Sequence, residues 1–123
     1  MNWNEYILFE VNDLFDYEPE LLNELEHIDR QTAVKGIVGT RIKRHFADVE
    51  DDEVLSKIKN PGVLREPAIL LNLHLVFNAN ANEGKSYREK SGYYEKSFEE
   101  SLRQALNLLE FDGLSSKGIT LVR

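Results

Sequence analysis

The most regular pattern in the chain lies in Lys85–Gly113, KSYREKSGYYEKSFEESLRQALNLLEFDG. Tyr87, Tyr94, Phe98, Leu102, Ala105, Leu106 and Leu109 recur there at helical spacing, which predicts one amphipathic helix over Ser86–Glu110. Glu99 and Arg103 form a favourably ordered i,i+4 pair, Gly92 weakens the first half, and Gly113 offers a left-handed residue to end the turn. Upstream, LREPAILLNLHLVFNA (Leu64–Ala79) is apolar on nearly every face and predicts the most enclosed helix, with Pro67 in its first turn. A strand is the competing reading, because Leu71, Leu73, Leu75 and Phe77 alternate; length and the early proline favour the helix.

The N-terminal half is less regular. Ile7, Phe9 and Val11 alternate in YILFEV, which suits a short strand or an extended arm. Asn12 or Asp13 is placed to cap a short helical turn, and Pro19 to open another over Pro19–Glu26. From Asp29, as N-cap, to Phe46, the residues Ala33, Val34, Ile37, Val38, Ile42 and Phe46 give a third helix one apolar face. Its Gly36 and Gly39 each cost about 1 kcal/mol relative to alanine and point to close approach of a neighbouring backbone. Asp51–Ile58 reads as a short helix stopped by Asn60-Pro61-Gly62. The fold class is therefore all-α: a small bundle of three longer helices and one or two short ones, in a single domain over residues 1–123. An extended N-terminal arm covers about residues 1–12 and a C-terminal tail about residues 114–123.

Composition narrows the options. Apolar residues make up 41% of the chain and charged residues 30%, the balance of a folded soluble protein. The longest apolar run, Ala68–Leu71, is far shorter than the ~20 residues that span a bilayer, and MNWNEY has neither the basic start nor the apolar core of a secretory signal. No cysteine is present, which excludes disulfides and thiolate metal sites and suits the cytoplasm. A formal net charge of −7 repels nucleic-acid phosphates on average.

Catalytic signatures are lacking. His27, His45 and His74 have no zinc-ligand spacing; His74 reads as a core histidine and the other two as helix-end residues. The acidic group from Asp48 to Glu53 lacks the glycine bend and distal glutamate of a calcium loop. Gly36-Ile37-Val38-Gly39 has the spacing of a KH loop but falls inside a helix-period segment. Lys35, Arg41, Lys43 and Arg44 form a local basic cluster, expected as the exposed, dipole-favoured end of a helix. Tyr93 falls off the apolar stripe and is expected to be exposed, where a tyrosine suits an interface. No catalytic residue, metal ligand or cofactor site is assigned.

The C-terminal half carries a resemblance. The apolar Leu64–Phe77 segment, a polar loop, Tyr94-x3-Phe98-x3-Leu102 and then Leu106, Leu109, Phe111, Asp112 and Gly113 resemble the head–tail adaptor, or head-completion, proteins of tailed bacteriophages. The likeness covers Glu66–Gly118, and the first half matches only in layout. Members often end this helix in an Asp-rich turn; here only Asp112 and Gly113 match, which removes any cation-binding turn. The resemblance implies a structural protein, not an enzyme, in the virion neck: a ring, commonly of twelve subunits, below the portal. Its partners would be the portal protein, a tail or stopper protein and further copies of itself, with DNA passing through the channel without sequence-specific binding. On this reading Lys117, Gly118, Ile119, Thr120, Leu121, Val122 and Arg123 engage the portal. Arg41, Lys43 and Arg44 on one side and Asp48, Asp51, Asp52 and Glu53 on the other form subunit–subunit contacts, since a ring needs two different patches. The alternatives are a small helical protein-binding or regulatory module of bacterial origin, and an enzyme built on Glu or His.

Overall fold

The computed structural model describes residues 1–46 and 53–112. Among these, five α-helices follow one another: α1 (Val11–Phe15), α2 (Gln31–His45), α3 (Glu53–Ser56), α4 (Arg65–Ala79) and α5 (Lys85–Leu108). Short 3-10 turns at Leu21–Glu24, Pro61–Leu64 and Ala81–Glu83 link them. The expected all-α bundle with three longer helices is what forms.

α4 occupies the centre. Pro67 to Leu73, Val76 and Phe77 are all buried, as the apolar run predicts. α5 lies along it and contributes Tyr94, Phe98, Leu102, Ala105 and Leu106 to the core. The Phe77 ring stacks between Tyr87 and Tyr94, with centroids 6.0 and 5.9 Å away, so the α4–α5 seam opens on three aromatic rings. α2 covers another side through Val34, Val38 and Ile42.

The expected extended arm over residues 1–12 is only partly so: residues 2–6 form a turn in which the Tyr6 N–H donates to the Asn2 carbonyl (3.0 Å), residues 7–10 make no strand, and α1 begins at Val11. Leu8 and Phe9 are both buried and Ile7 is exposed, because the segment lies along the bundle with no sheet pleat to enforce period two. Trp3 is buried as well, and the Met1 amine donates to the Ser56 carbonyl at 3.0 Å. Asp13 caps α1 by accepting the Glu10 N–H (2.8 Å) and also receives Arg65 from the start of α4 (2.6 Å). The expected Pro19–Glu26 helix contracts to the turn Leu21–Glu24, after which His27 adopts φ 55°, a left-handed conformation that redirects the chain. α2 begins at Gln31, and Asp29 accepts that residue's N–H at 3.0 Å.

The Asp51–Ile58 helix is also shorter than the pattern suggests. α3 ends at Ser56 because Ile58 pairs with Phe111 in an antiparallel bridge. Lys59 N–H donates to the Glu110 carbonyl (2.8 Å) and Asp112 N–H to the Lys57 carbonyl (2.6 Å). The residues that would continue α3 thereby hold the exit of the chain from α5.

Asn72 is fully buried inside an otherwise apolar helix, and both ends of its amide are used. Its Oδ1 accepts the Arg30 N–H and its Nδ2 donates to the Ile28 carbonyl, each at 2.7 Å. This one side chain satisfies the backbone of the loop entering α2 and fixes that loop on α4. The two α2 glycines differ. A Cβ on Gly39 would lie 3.2 Å from Leu55 Cδ1 and 3.3 Å from Trp3 Nε1, whereas Gly36 faces open space. The close approach expected from the sequence therefore exists at Gly39 alone, and side chains rather than a backbone make it.

Two stability outcomes follow. Asn72→Ala leaves an N–H and a C=O without partners and lowers the unfolding free energy by about 2–4 kcal/mol, read as a reduced midpoint in urea denaturation. Gly36→Ala raises stability by about 0.5–1 kcal/mol through helix propensity, while Gly39→Ala does not, because Trp3 and Leu55 must shift.

Candidate functional site

The basic end of α2 is the first place that the sequence singles out. Arg41 is not free: its guanidinium grips Glu99 of α5 through both oxygens, at 2.7 and 2.8 Å, and lies 5.7 Å above the Phe98 ring. Lys35, one turn and a half earlier, donates to the Asn4 carbonyl at 2.9 Å and ties the N-terminal segment to α2. Lys43 lines a groove of about 1010 Å³ between α2 and residues 1–7. Arg44 is exposed on the last turn, and Glu53 is exposed at the start of α3. Asp48, Asp51 and Asp52, and the tail residues Lys117, Gly118, Ile119, Thr120, Leu121, Val122 and Arg123, lie outside the described residues. Of the expected ring contacts, the structure thus binds Arg41 internally and leaves Arg44 outward.

His74 does sit in the core region, as expected. Its Nδ1 is 2.9 Å from the Ser91 carbonyl and 3.2 Å from Ser91 Oγ, and Nε2 is 3.5 Å from Glu95. His, Ser and Glu together look like a nucleophilic triad, but the order is wrong for one. A carbonyl oxygen only accepts, so Nδ1 donates to the Ser91 carbonyl and is not available to take the Ser91 hydroxyl proton, while Nε2 faces away from that hydroxyl, towards Glu95. Ser91 is itself buried between α4 and α5, where Oγ also reaches Asn78 Oδ1 (3.4 Å). The set is a polar staple between two helices. His45 ends α2 and packs edge-on to Phe46, in line with its reading as a helix-end residue.

A smaller concavity, with more titratable groups fixed around it, lies where the chain leaving α1 meets the first half of α5. A concavity of about 620 Å³ is walled by Tyr17, Tyr93 and the buried Tyr94, with Asp16, Glu18, Glu89 and Lys90 around them. Glu18 is buried because two donors meet its Oε2: Tyr94 OH at 2.5 Å and Lys90 Nζ at 2.8 Å. Burial and the Glu18 carboxylate push the Tyr94 hydroxyl far above the usual tyrosine range, so it stays a proton donor. The same direction holds at Tyr17, where burial acts first and Glu66, Asp16 and Asp13 add negative potential against the opposing Arg65. Tyr93 packs edge-to-face on Tyr94, with centroids 5.0 Å apart, yet is 63% exposed; Tyr17 is 41% exposed. Sequence reasoning placed Tyr93 outside and Tyr94 inside, and both are so. It missed Glu18 and Tyr17, which belong to an irregular acidic turn with no periodicity to reveal what they face. Asn72 and Ser91 had a signal: each is a polar residue at a buried position of an apolar pattern.

Arg41 and Glu99 give a pH prediction. The Arg41 hydrogen bonds hold the Glu99 carboxyl below the usual carboxylate range, and the Glu10 N–H and Arg65 do the same for Asp13. A depressed folded-state pKa contributes stability that is present above the ordinary carboxylate value and lost as pH falls through the folded one. Melting temperature therefore drops as pH is lowered from about 5 towards 3. Arg41→Ala removes part of that slope and, with both partners over a third exposed, under about 1 kcal/mol at neutral pH. No family model, no curated protein and no solved structure matches this chain.

Proposed function

We propose that the chain is a structural head–tail adaptor of a tailed bacteriophage, a subunit of a ring below the portal that joins head to tail and extends the DNA channel. The observation that carries this reading is the course of the resembling segment. α4 and α5 pack as a hairpin, and the chain leaves it at Phe111–Asp112 pinned to Lys57–Lys59. The C-terminal residues thus start from a fixed edge of a packed domain, the arrangement that a docking tail needs. Lys117–Arg123 then reach the portal, with Ile119–Val122 suited to adding a strand to a partner's edge. The net charge of −7 supports DNA passing the subunit without adhering to it. Ring contacts are heterologous, and Arg44 is better suited to them than Arg41, which Glu99 already holds. The role belongs to the virion neck and uses no catalysis or cofactor.

Deletion of Gly118–Arg123 tests it. The expected result is a folded protein with an unchanged helical circular-dichroism spectrum that no longer joins portal rings in negative-stain images. Portal joining at the wild-type level by the truncated chain rejects the tail-docking role. A full-length chain that stays monomeric and never joins a portal favours a helical protein-binding or regulatory module.

A further inference from the structure

We propose that the concavity walled by Tyr17, Tyr93 and Glu89 is the acceptor half of the subunit–subunit contact, and that it receives Arg44 of a second copy of this chain. The proposal rests on the ring reading and names the surface that α2 would meet.

The chemistry of the concavity selects a cation. Three carboxylates, Asp16, Glu18 and Glu89, line it against one ammonium, Lys90, and Lys90 is already neutralised by Glu18. What remains to face an incoming group is Asp16, Glu89 and the two exposed tyrosines. Glu89 is only loosely engaged, by Lys85 at 3.7 Å with both side chains mostly exposed. Tyrosine faces beside carboxylates favour a guanidinium, which stacks on a ring while its N–H groups reach oxygen. The floor is pre-formed, because the Glu18–Lys90–Tyr94 hydrogen bonds fix the turn after α1 against α5, so little ordering is left for the moment of binding. Large exposed tyrosines over a rigid floor are the kind of anchor that interfaces concentrate.

The donor is on the same chain but cannot serve its own pocket. Arg41–Glu99 sets the end of α2 beside the second half of α5, whereas the concavity is built from the first half, Ser86–Tyr94. Arg44 is exposed one turn beyond Arg41, on the helix end whose dipole favours cations. Two different patches on one subunit give a head-to-tail contact, the type that closes rings. A chain of net charge −7 also repels its own copies unless a local cation meets a local acidic pocket.

The test is a charge exchange. Glu89→Arg and Arg44→Glu are made separately and together, and ring formation is followed by native mass spectrometry with and without portal protein. Tyr93→Ala is a third variant, and circular dichroism checks folding in each. The expected outcome is at least a tenfold loss of ring formation in each single variant, with substantial recovery in the double. Wild-type assembly by Glu89→Arg, or a double variant no better than the singles, overturns the proposal. A second measurement separates pocket from ring: the wild-type chain is titrated with the peptide acetyl-Gly-Arg-Gly-amide, following tyrosine NMR signals. Saturable shifts at Tyr17 and Tyr93, with the Tyr17 shift lost in Tyr93→Ala, support the pocket's chemistry. If the wild type binds this peptide yet forms no ring with portal present, the ring reading and the second-copy occupant fall together, and the cation comes from another protein. If rings form but the peptide does not bind, the ring stands and the pocket assignment fails.

Discussion

A helix that is apolar on nearly every face cannot be stable beside water, and α4 imposes that constraint on the whole chain. α5, α2 and α1 pack around it, and α3 packs on α2. α5 covers one side with a continuous stripe from Tyr94 to Leu106, and α2 another with Val34, Val38 and Ile42. The N-terminal residues add Trp3, Leu8 and Phe9 to the core, Trp3 beside Gly39 of α2. Burial of this kind is non-directional, so it brings the walls together without fixing how they are aligned.

Alignment comes from a few polar groups inside or beside the apolar contacts. Asn72 positions the loop into α2, His74 and Ser91 set α5 against α4, and Glu18 with Tyr94 and Lys90 locks the turn after α1 onto α5. Each is costly if half-made and specifying when complete. Two of these sets join elements more than forty residues apart in sequence, as the 42- and 76-residue separations of Arg30–Asn72 and Glu18–Tyr94 show. Of the surface features, the tyrosine-walled concavity is fixed by the Glu18 set, and the basic end of α2 by the Arg41–Glu99 pair. Rigid exterior features on a small all-α domain suit a protein that works by contact, which is the common ground of the adaptor reading and of the pocket proposed for Arg44.

The long, strongly periodic segments were legible before any coordinates. α4 and α5 form where their apolar spacing says, and the middle of the α5 stripe, from Tyr94 to Leu106, is buried while Tyr87 and Leu109 at its ends are partly so, because helix formation and amphipathic burial are both local properties. The weaker segments were legible in kind but not in extent. Pro19–Glu26 shrank to the 3-10 turn Leu21–Glu24, closed by the local Leu25 N–H to Leu22 carbonyl bond, and α3 stopped at Ser56, where Lys57 and Lys59 pair with the backbone of residues 110–112. Arg41 read as a free surface cation until α5 supplied Glu99.

The sequence by itself determined the helical class, the central place of α4, the inward face of α5 and the exposure of Tyr93, since each follows from which residues recur at 3.6-residue spacing. Only the tertiary structure decided that Leu8 and Phe9 both turn inward, that Phe111 bridges Ile58, and that Tyr17 and Glu18 join Tyr93 and Tyr94 around one concavity. Those outcomes depend on pairings between distant positions. A single pattern along the chain records what a residue prefers to bury, not which partner it will meet.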